Sequence, residues 1–217
     1  MKLIASGREA DVYALDKSRV LRRYRDGSSA EPESRLMRHL EANGYPVPRV
    51  HECTGGDLVM ERLAGPTMMD VLERRPLRWR AIGRMLGGLH DRLHALPAPS
   101  WLPRRFGRAA DDRVLHLDFH PGNVVLTPRG PVVIDWHNAA AGDPAADVAM
   151  TLVTVGSADV PGLAARLGRG LLLSAIRGGS ATDPAARIRD AAAAKLDDPH
   201  LLPTEAAWLR RRVAAHS

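Results

Sequence analysis

Three polar side chains interrupt HLDFHPGNVVLTPRGPVVIDW, residues 116 to 136: Asp118 and Asn123 precede one run of β-branched residues, and Asp135 follows a second. Such runs, separated by a Pro- and Gly-containing turn, read as two short strands. Two carboxylates and an amide therefore stand at the mouths of neighbouring strands, where burial is expensive unless something compensates it. Their oxygens are the hard ligands that magnesium takes, and a carboxylate placed beside a hydroxyl can take its proton. The structural alternative has the aspartates capping turns and the asparagine in a loop bond. His116 and His120 flank Asp118, but a zinc site from His116, Asp118 and His120 lacks a further strong ligand pattern.

Composition narrows the choices. The chain has 217 residues, 45% hydrophobic and 26% charged, which suits one large domain or two small lobes around a cleft. No apolar run reaches the ~20 residues needed to span a bilayer. MKLIASGREA opens on a strand-like pattern without a signal-peptide core. The single cysteine, Cys53, excludes an internal disulfide and a thiolate zinc cluster. A cytoplasmic protein is expected. The net charge of +6 raises the question of nucleic acid. However, the positive charge is spread along the chain as arginine, only Lys2, Lys17 and Lys195 being lysines, and aromatics are 4%. Stacking platforms for single strands are thus scarce, and nucleic acid is a minor alternative.

Positioning elements follow from periodicity. KLIAS, DVYAL and RVLRRY alternate as three antiparallel strands. Leu36, Met37, Leu40 and Ala42 mark one face of a helix, with Ser29 as its cap, Pro32 in its first turn and Asn43-Gly44 at its end. VPRVHEC and DLVMERL add two strands, giving a five-stranded sheet with one helix. Beyond these, GPTMMDVLERR and RWRAIGRMLGGLHDRLHAL are helical by spacing, the second with Ile82, Met85, Leu86, Leu89, Leu93 and Leu96 on one face. LPAPSWLPRRFGRAADD reads as a surface loop. From Asp143 onward helices dominate, with breaks at Gly156, Gly178-Gly179 and Pro203.

In order from Gly7 to Ala149, GREADVYAL, RVLRR, EPESRLMRHL, LVMERLAGP, HLDFHPGNVVL, VVIDW and GDPAADVA resemble the aminoglycoside phosphotransferase and choline kinase branch of the protein-kinase-like fold. An ordered set is far more specific than one motif. The resemblance implies an α+β, two-lobed architecture. Residues 1–62 would hold the nucleotide on the five-stranded antiparallel sheet, and a mostly helical lobe over 63–217 would carry catalysis and the acceptor. It further implies transfer of the γ-phosphate of ATP, or of GTP, to a hydroxyl of a small molecule, with magnesium across the phosphates.

Residue by residue, the resemblance makes Asp118 the catalytic base and Asn123 and Asp135 the magnesium ligands. Gly7 covers the phosphates, although a full glycine-rich loop has more glycines. Arg22 stands where the usual lysine pairs with phosphate; it can do so in a bidentate fork, but it is longer and planar. Arg23 and Lys17 are nearby substitutes. Glu33 matches the acid that pairs with that cation, with Glu31 as rival and a helix-dipole role as the plainer reading. The backbone from Glu61 to Leu63 bonds the base, and Met60 packs behind it. Asp143 and Asp147 are read as structural, at a helix start and in an internal bond.

GREADVY also resembles the phosphate loop of RIO kinases, and Arg22 admits a non-catalytic pseudokinase, so both remain rivals. A protein kinase needs a long platform after its metal-binding aspartate, whereas only WHNAAAG, without Ser, Thr or Tyr, separates Asp135 from Asp143. A small-molecule acceptor fits better. Residues 151–217 carry six acids (Asp159, Asp183, Asp190, Asp197, Asp198, Glu205) against nine bases. Clustered ammonium groups need carboxylate partners, so a neutral or weakly charged hydroxyl compound is expected and a polycation is not. The sequence points to no membrane partner and specifies no oligomeric state.

Overall fold

Alternating runs closed by tight turns pair as antiparallel strands in this computed structural model, which describes residues 1–7, 9–107, 112–198 and 201–215. The strands are β1 (Lys2–Ser6), β2 (Ala10–Ala14), β3 (Arg19–Tyr24), β4 (Val50–Thr54) and β5 (Asp57–Glu61), ordered β1-β2-β3-β5-β4. Helix α1 (Glu31–Ala42) lies between β3 and β4 in the chain and buries Leu36, Met37 and Leu40. Ala30, not Ser29, is its N-cap; the Ser29 hydroxyl accepts the Glu31 amide at 3.2 Å. On central strand β3, Arg22 is registered with Val12 on one side and Leu58 on the other.

Two compact units divide the chain, and neither is continuous in sequence. The first comprises Met1–Thr67 and Val124–His137, and the second Met68–Asn123 and Asn138–Ser217. A single boundary at 62/63 does not describe this grouping, because the hairpin of β7 (Val124–Thr127) and β8 (Gly130–Val133), a separate two-stranded sheet, belongs to the same unit as the N-terminal sheet. The Val133 amide donates to Pro46 O and the Leu126 amide to Pro66 O, both at 2.8 Å. Trp136, buried, meets Tyr45 edge-on with centroids 5.7 Å apart. Gly65, at φ 152°, passes so near the hairpin that a Cβ there would lie 2.0 Å from Leu126 O. No other residue fits that approach.

In the second unit lie α2 (Met68–Arg74), α3 (Trp79–His94), α4 (Pro144–Ser157), α5 (Leu163–Arg177), α6 (Ile188–Leu196) and α7 (Pro203–Ala215). A short ladder pairs β6 (Arg113–Leu115) with β9 (Ala140–Gly142). Helix α3 buries Ile82, Leu86, Leu89 and Leu93 as its spacing predicts, but Met85 is 39% exposed. Gly83 and Gly87 let α3 approach α5 and the turn after it: a Cβ on Gly83 would fall 2.5 Å from Ala175 Cβ, and one on Gly87 2.4 Å from Gly179 C. Gly156 does not break α4; it lies inside the last turn, where a Cβ would meet the Trp208 ring at 2.8 Å. Residues 108–111 of the Pro- and Arg-rich segment lie outside the described residues. Among the described residues no helix is long and apolar enough to cross a membrane.

Candidate active site

A tight loop after β6 presents Asp118. The Leu117 backbone takes φ 62°, a left-handed value that side chains rarely adopt. What holds it is Asp147, in the first turn of α4, whose carboxylate accepts the Leu117 amide at 2.7 Å and the His116 amide at 3.1 Å. His94 Nε2 meets the same carboxylate at 3.0 Å, and His90 Nδ1 lies 3.4 Å from it. His90 also contacts the Thr151 hydroxyl at 3.0 Å, and that hydroxyl donates to Phe119 O. Burial alone would raise the Asp147 pKa, but the two histidines outweigh it and hold the carboxyl well below its ordinary range. These three side chains lie close enough to ligate a metal. The amide bonds to Asp147 give it a sufficient structural task instead.

Asp118 itself is held by its neighbours. Its amide donates to His116 Nδ1 at 3.3 Å, and the buried His116 ring stacks on Phe119. Asn123 Nδ2 donates to Asp118 O at 2.9 Å and to Oδ2 at 3.3 Å. His120 accepts the Gly122 amide at Nδ1, which leaves Nε2 to carry the proton, 3.7 Å from Asp118 Oδ2. Among the described residues no group bonds Asp118 Oδ1, and the side chain is 26% exposed. Burial pushes its pKa up, but His120, His116 and Lys195 bring it below the ordinary value, so the group is ionised at neutral pH. With Nδ2 engaged, Asn123 has Oδ1 free among the described residues, the atom a hard cation would take.

In the first unit a second cluster forms around Arg22. Its Nη2 meets Asp135 Oδ1 at 2.7 Å and its Nη1 meets Glu33 Oε1 at 3.3 Å. Glu33 Oε1 also accepts the Trp136 amide at 3.0 Å, which fixes the chain just after Asp135 at φ 68°. Burial would lower the Arg22 pKa, yet Glu33 and Asp135 raise it further, and the guanidinium stays charged. Asp135 keeps Oδ2 free among the described residues and its side chain is 40% exposed. It too has the donor chemistry for magnesium. Glu31, the rival to Glu33, is exposed at the helix start. Arg23 pairs instead with Asp57, at 2.6 Å.

The remaining residues sit elsewhere in the first unit. Gly7 opens the β1–β2 turn, its amide donating to Ala10 O and its carbonyl accepting from Arg25; it does not join the Arg22 cluster. Arg8, in the same segment, lies outside the described residues. Met60, Glu61 and Leu63 are half-buried at the end of β5. The Glu61 amide already donates to Arg49 O, the Arg62 amide to Ser18 O, and the Glu61 carboxylate meets Arg129 at 2.7 Å. Sequence reasoning passed over Tyr24, whose hydroxyl donates to Glu33 Oε2, and the His90–His94 pair. The second had a signal: LHDRLH puts two histidines four residues apart on an apolar helix face.

The phosphotransferase enzyme family matches the sequence over residues 1–113 and 91–185. Among solved structures, a thermostable mutant of aminoglycoside phosphotransferase APH(4)-Ia, in ternary complex with AMP-PNP and hygromycin B, is similar at a TM-score of 0.65 and 18% identity, covering 98% of this chain and 91% of that one. The gentamicin complex of APH(2'')-IIa is similar at 0.65 and 14%, covering 90% and 81%. A choline/ethanolamine kinase family protein from Mesorhizobium loti gives 0.59 and 16%, covering 99% and 85%. At these identities the likeness is one of fold, and that fold is protein-kinase-like. No curated protein matches the sequence significantly.

Proposed function

Because the chain belongs to the phosphotransferase enzyme family, we propose that it transfers the γ-phosphate of ATP to a hydroxyl of a small molecule. The observation that carries this reading is Asp118: ionised, partly exposed, with Oδ2 facing Asn123 and His120 and Oδ1 free among the described residues. Such a carboxylate orients an acceptor hydroxyl and takes its proton as the oxygen attacks phosphorus. Asn123 Oδ1 and Asp135 would hold magnesium, which would supply positive charge against the negative charge that develops on the phosphates. Arg22 is the proposed phosphate cation, Gly7 the residue whose loop covers the phosphates, and Glu61 to Leu63 the segment that bonds the base.

The acceptor reading rests on two sequence facts. WHNAAAG leaves no room for a peptide platform, and the basic balance of residues 151–217 favours a neutral or weakly charged hydroxyl compound. The test is a magnesium-dependent nucleotide-consumption screen, ATP beside GTP, over small hydroxyl compounds, with Asp118→Asn as control. Consumption that needs an acceptor and is lost in the variant supports the reading. Efficient phosphorylation of a folded protein would favour the RIO-like rival, and tight nucleotide binding without turnover on any acceptor the pseudokinase one.

A further inference from the structure

Tyr24 has no part in the chemistry described so far, yet it touches two of the groups that do. It follows Arg22 by two residues on β3, so both side chains leave the strand on one face. Its ring lies against the guanidinium, with Arg22 Cζ 5.3 Å from the centroid. Its hydroxyl donates to Glu33 Oε2 at 2.5 Å. The two Glu33 oxygens are thereby divided: Oε2 takes the phenol, while Oε1 takes the Trp136 amide and Arg22 Nη1. All three side chains are buried.

Among the described residues the guanidinium is gripped at its tip: Nη1 and Nη2 reach Glu33 and Asp135, whereas Nε is buried without a partner there. A lysine ammonium is a compact charge with rotatable donors and would need no support for a plane. A guanidinium is flat, and its fork is useful only in the right orientation. An aromatic face supplies that support. Were Glu33 Oε2 unoccupied, the carboxylate would be free to take both Nη groups in a fork, and Nη2 would leave Asp135.

We propose that Tyr24 is a positioning residue for the phosphate-binding cation: its ring supports the plane of Arg22, and its hydroxyl fixes Glu33 so that Nη2 remains at Asp135. This rests on the reading of Arg22 as the phosphate clamp, and it identifies what lets an arginine serve there.

Two measurements test it on the full chain. The first is NMR of nitrogen-labelled arginine, with the Arg22 signals assigned by their loss in Arg22→Lys. Wild type is expected to show slow guanidinium rotation, and Tyr24→Phe to shift those signals and speed the rotation. Glu33→Gln, which weakens the acceptor of the phenol, should change the same signals and covers the case that Tyr24→Phe folds poorly. The second is calorimetric titration with AMP-PNP and magnesium. Tyr24→Phe should weaken binding about tenfold, the order expected for losing a hydrogen bond to a charged group. On an Arg22→Lys background that penalty should nearly vanish. A purely structural Tyr24 would lower the melting temperature and leave both the Arg22 signals and the affinity unchanged. That result, or an equal penalty on both backgrounds, overturns the proposal. If wild type binds no AMP-PNP, the phosphotransferase reading fails and the NMR result alone decides the role of Tyr24.

Discussion

Glu33 and Asp147 are both buried carboxylates that fix a backbone turn beside an aspartate. Asp147 accepts two amides where Leu117 turns at φ 62°, one residue before Asp118. Glu33 accepts one amide where Asp135 turns at φ 68°. A left-handed non-glycine residue costs roughly 1–2 kcal/mol, and charge-assisted hydrogen bonds offset it in each case. The two differ in what else they touch. Asp147 is 0% exposed and its other neighbours are imidazoles, so nothing from outside can exchange with them. From Glu33 the contacts run through Arg22 to a partly exposed carboxylate, which under the proposed function would trade its guanidinium for another cation. One device thus makes a fixed support in the second unit and an exchangeable one in the first.

The largest effect should separate the two aspartates. Asp118→Asn is expected to cut turnover roughly 10²–10⁴-fold with nucleotide affinity nearly intact. Asp135→Asn should instead abolish magnesium-dependent nucleotide binding. Turnover assays and titration with ATP and magnesium read this out; equal loss of binding in both variants would remove the assigned roles. Next comes the fixed support. Asp147→Asn should destabilise the fold by about 3–5 kcal/mol, as removal of a buried paired charge does, read as a lower urea midpoint. If Glu33→Gln costs as much stability and no affinity, the contrast between the two carboxylates is void.

A smaller effect is expected at the cation. Arg22→Met should slow catalysis by about 10²-fold, the scale of losing one electrostatic contact to the transition state. Arg22→Lys should keep or raise activity. Wild-type rates in Arg22→Met would mean that another group holds the phosphates.

The smallest effect is a slope of stability with pH. Burial lowers the His90 pKa below its ordinary 6.5, while its histidine neighbours hold Asp147 well below 3.8 in spite of burial. In both cases the unfolded chain binds the proton more readily, so stability rises with pH. The His90 part is fully present above pH 6.5 and is lost on acidification below it; the Asp147 part is fully present above pH 3.8 and is lost below that. Thermal melts of wild type and His90→Gln across this range should show the upper limb flattened and the lower limb reduced but still present, because His94 remains beside Asp147. An unchanged upper limb would assign it to another group.

Much of this molecule was legible because its signals are local. The five strands and α1 follow from alternation and turn residues. Most of the buried face of α3 follows from spacing, whereas Met85 lies at the edge of that stripe and stays exposed. Strands β6 and β9 were not legible: Ala140–Gly142 has no strand propensity, and only its pairing with Arg113–Leu115 makes it one. Runs of β-branched residues and a Pro- and Gly-containing turn give the hairpin of β7 and β8, but no local pattern says which unit a hairpin packs into. At the candidate site, the order of motifs singled out Arg22, Glu33 and Asp135. The contacts of Tyr24 with Arg22 and Glu33 reach only two and nine residues along the chain, but a tyrosine on a strand is ordinary and nothing marks it. Asp147 is expected in an internal bond, yet its partners, the amides of His116 and Leu117, lie 31 and 30 residues away and no local pattern names them.

The discontinuity of the first unit bears on how the chain folds during its synthesis. Domains tend to fold as units while the chain emerges N-terminus first. Here the N-terminal sheet leaves the ribosome early, but Val132, Val133 and Trp136, buried in the same unit, emerge only after Met68–Asn123 has passed. A nascent chain stopped at Thr67 lacks that part of its core and should remain sensitive to protease, whereas release through His137 supplies every segment of the first unit. Residues 1–67 alone are therefore a poor choice for a minimal fragment of the first unit.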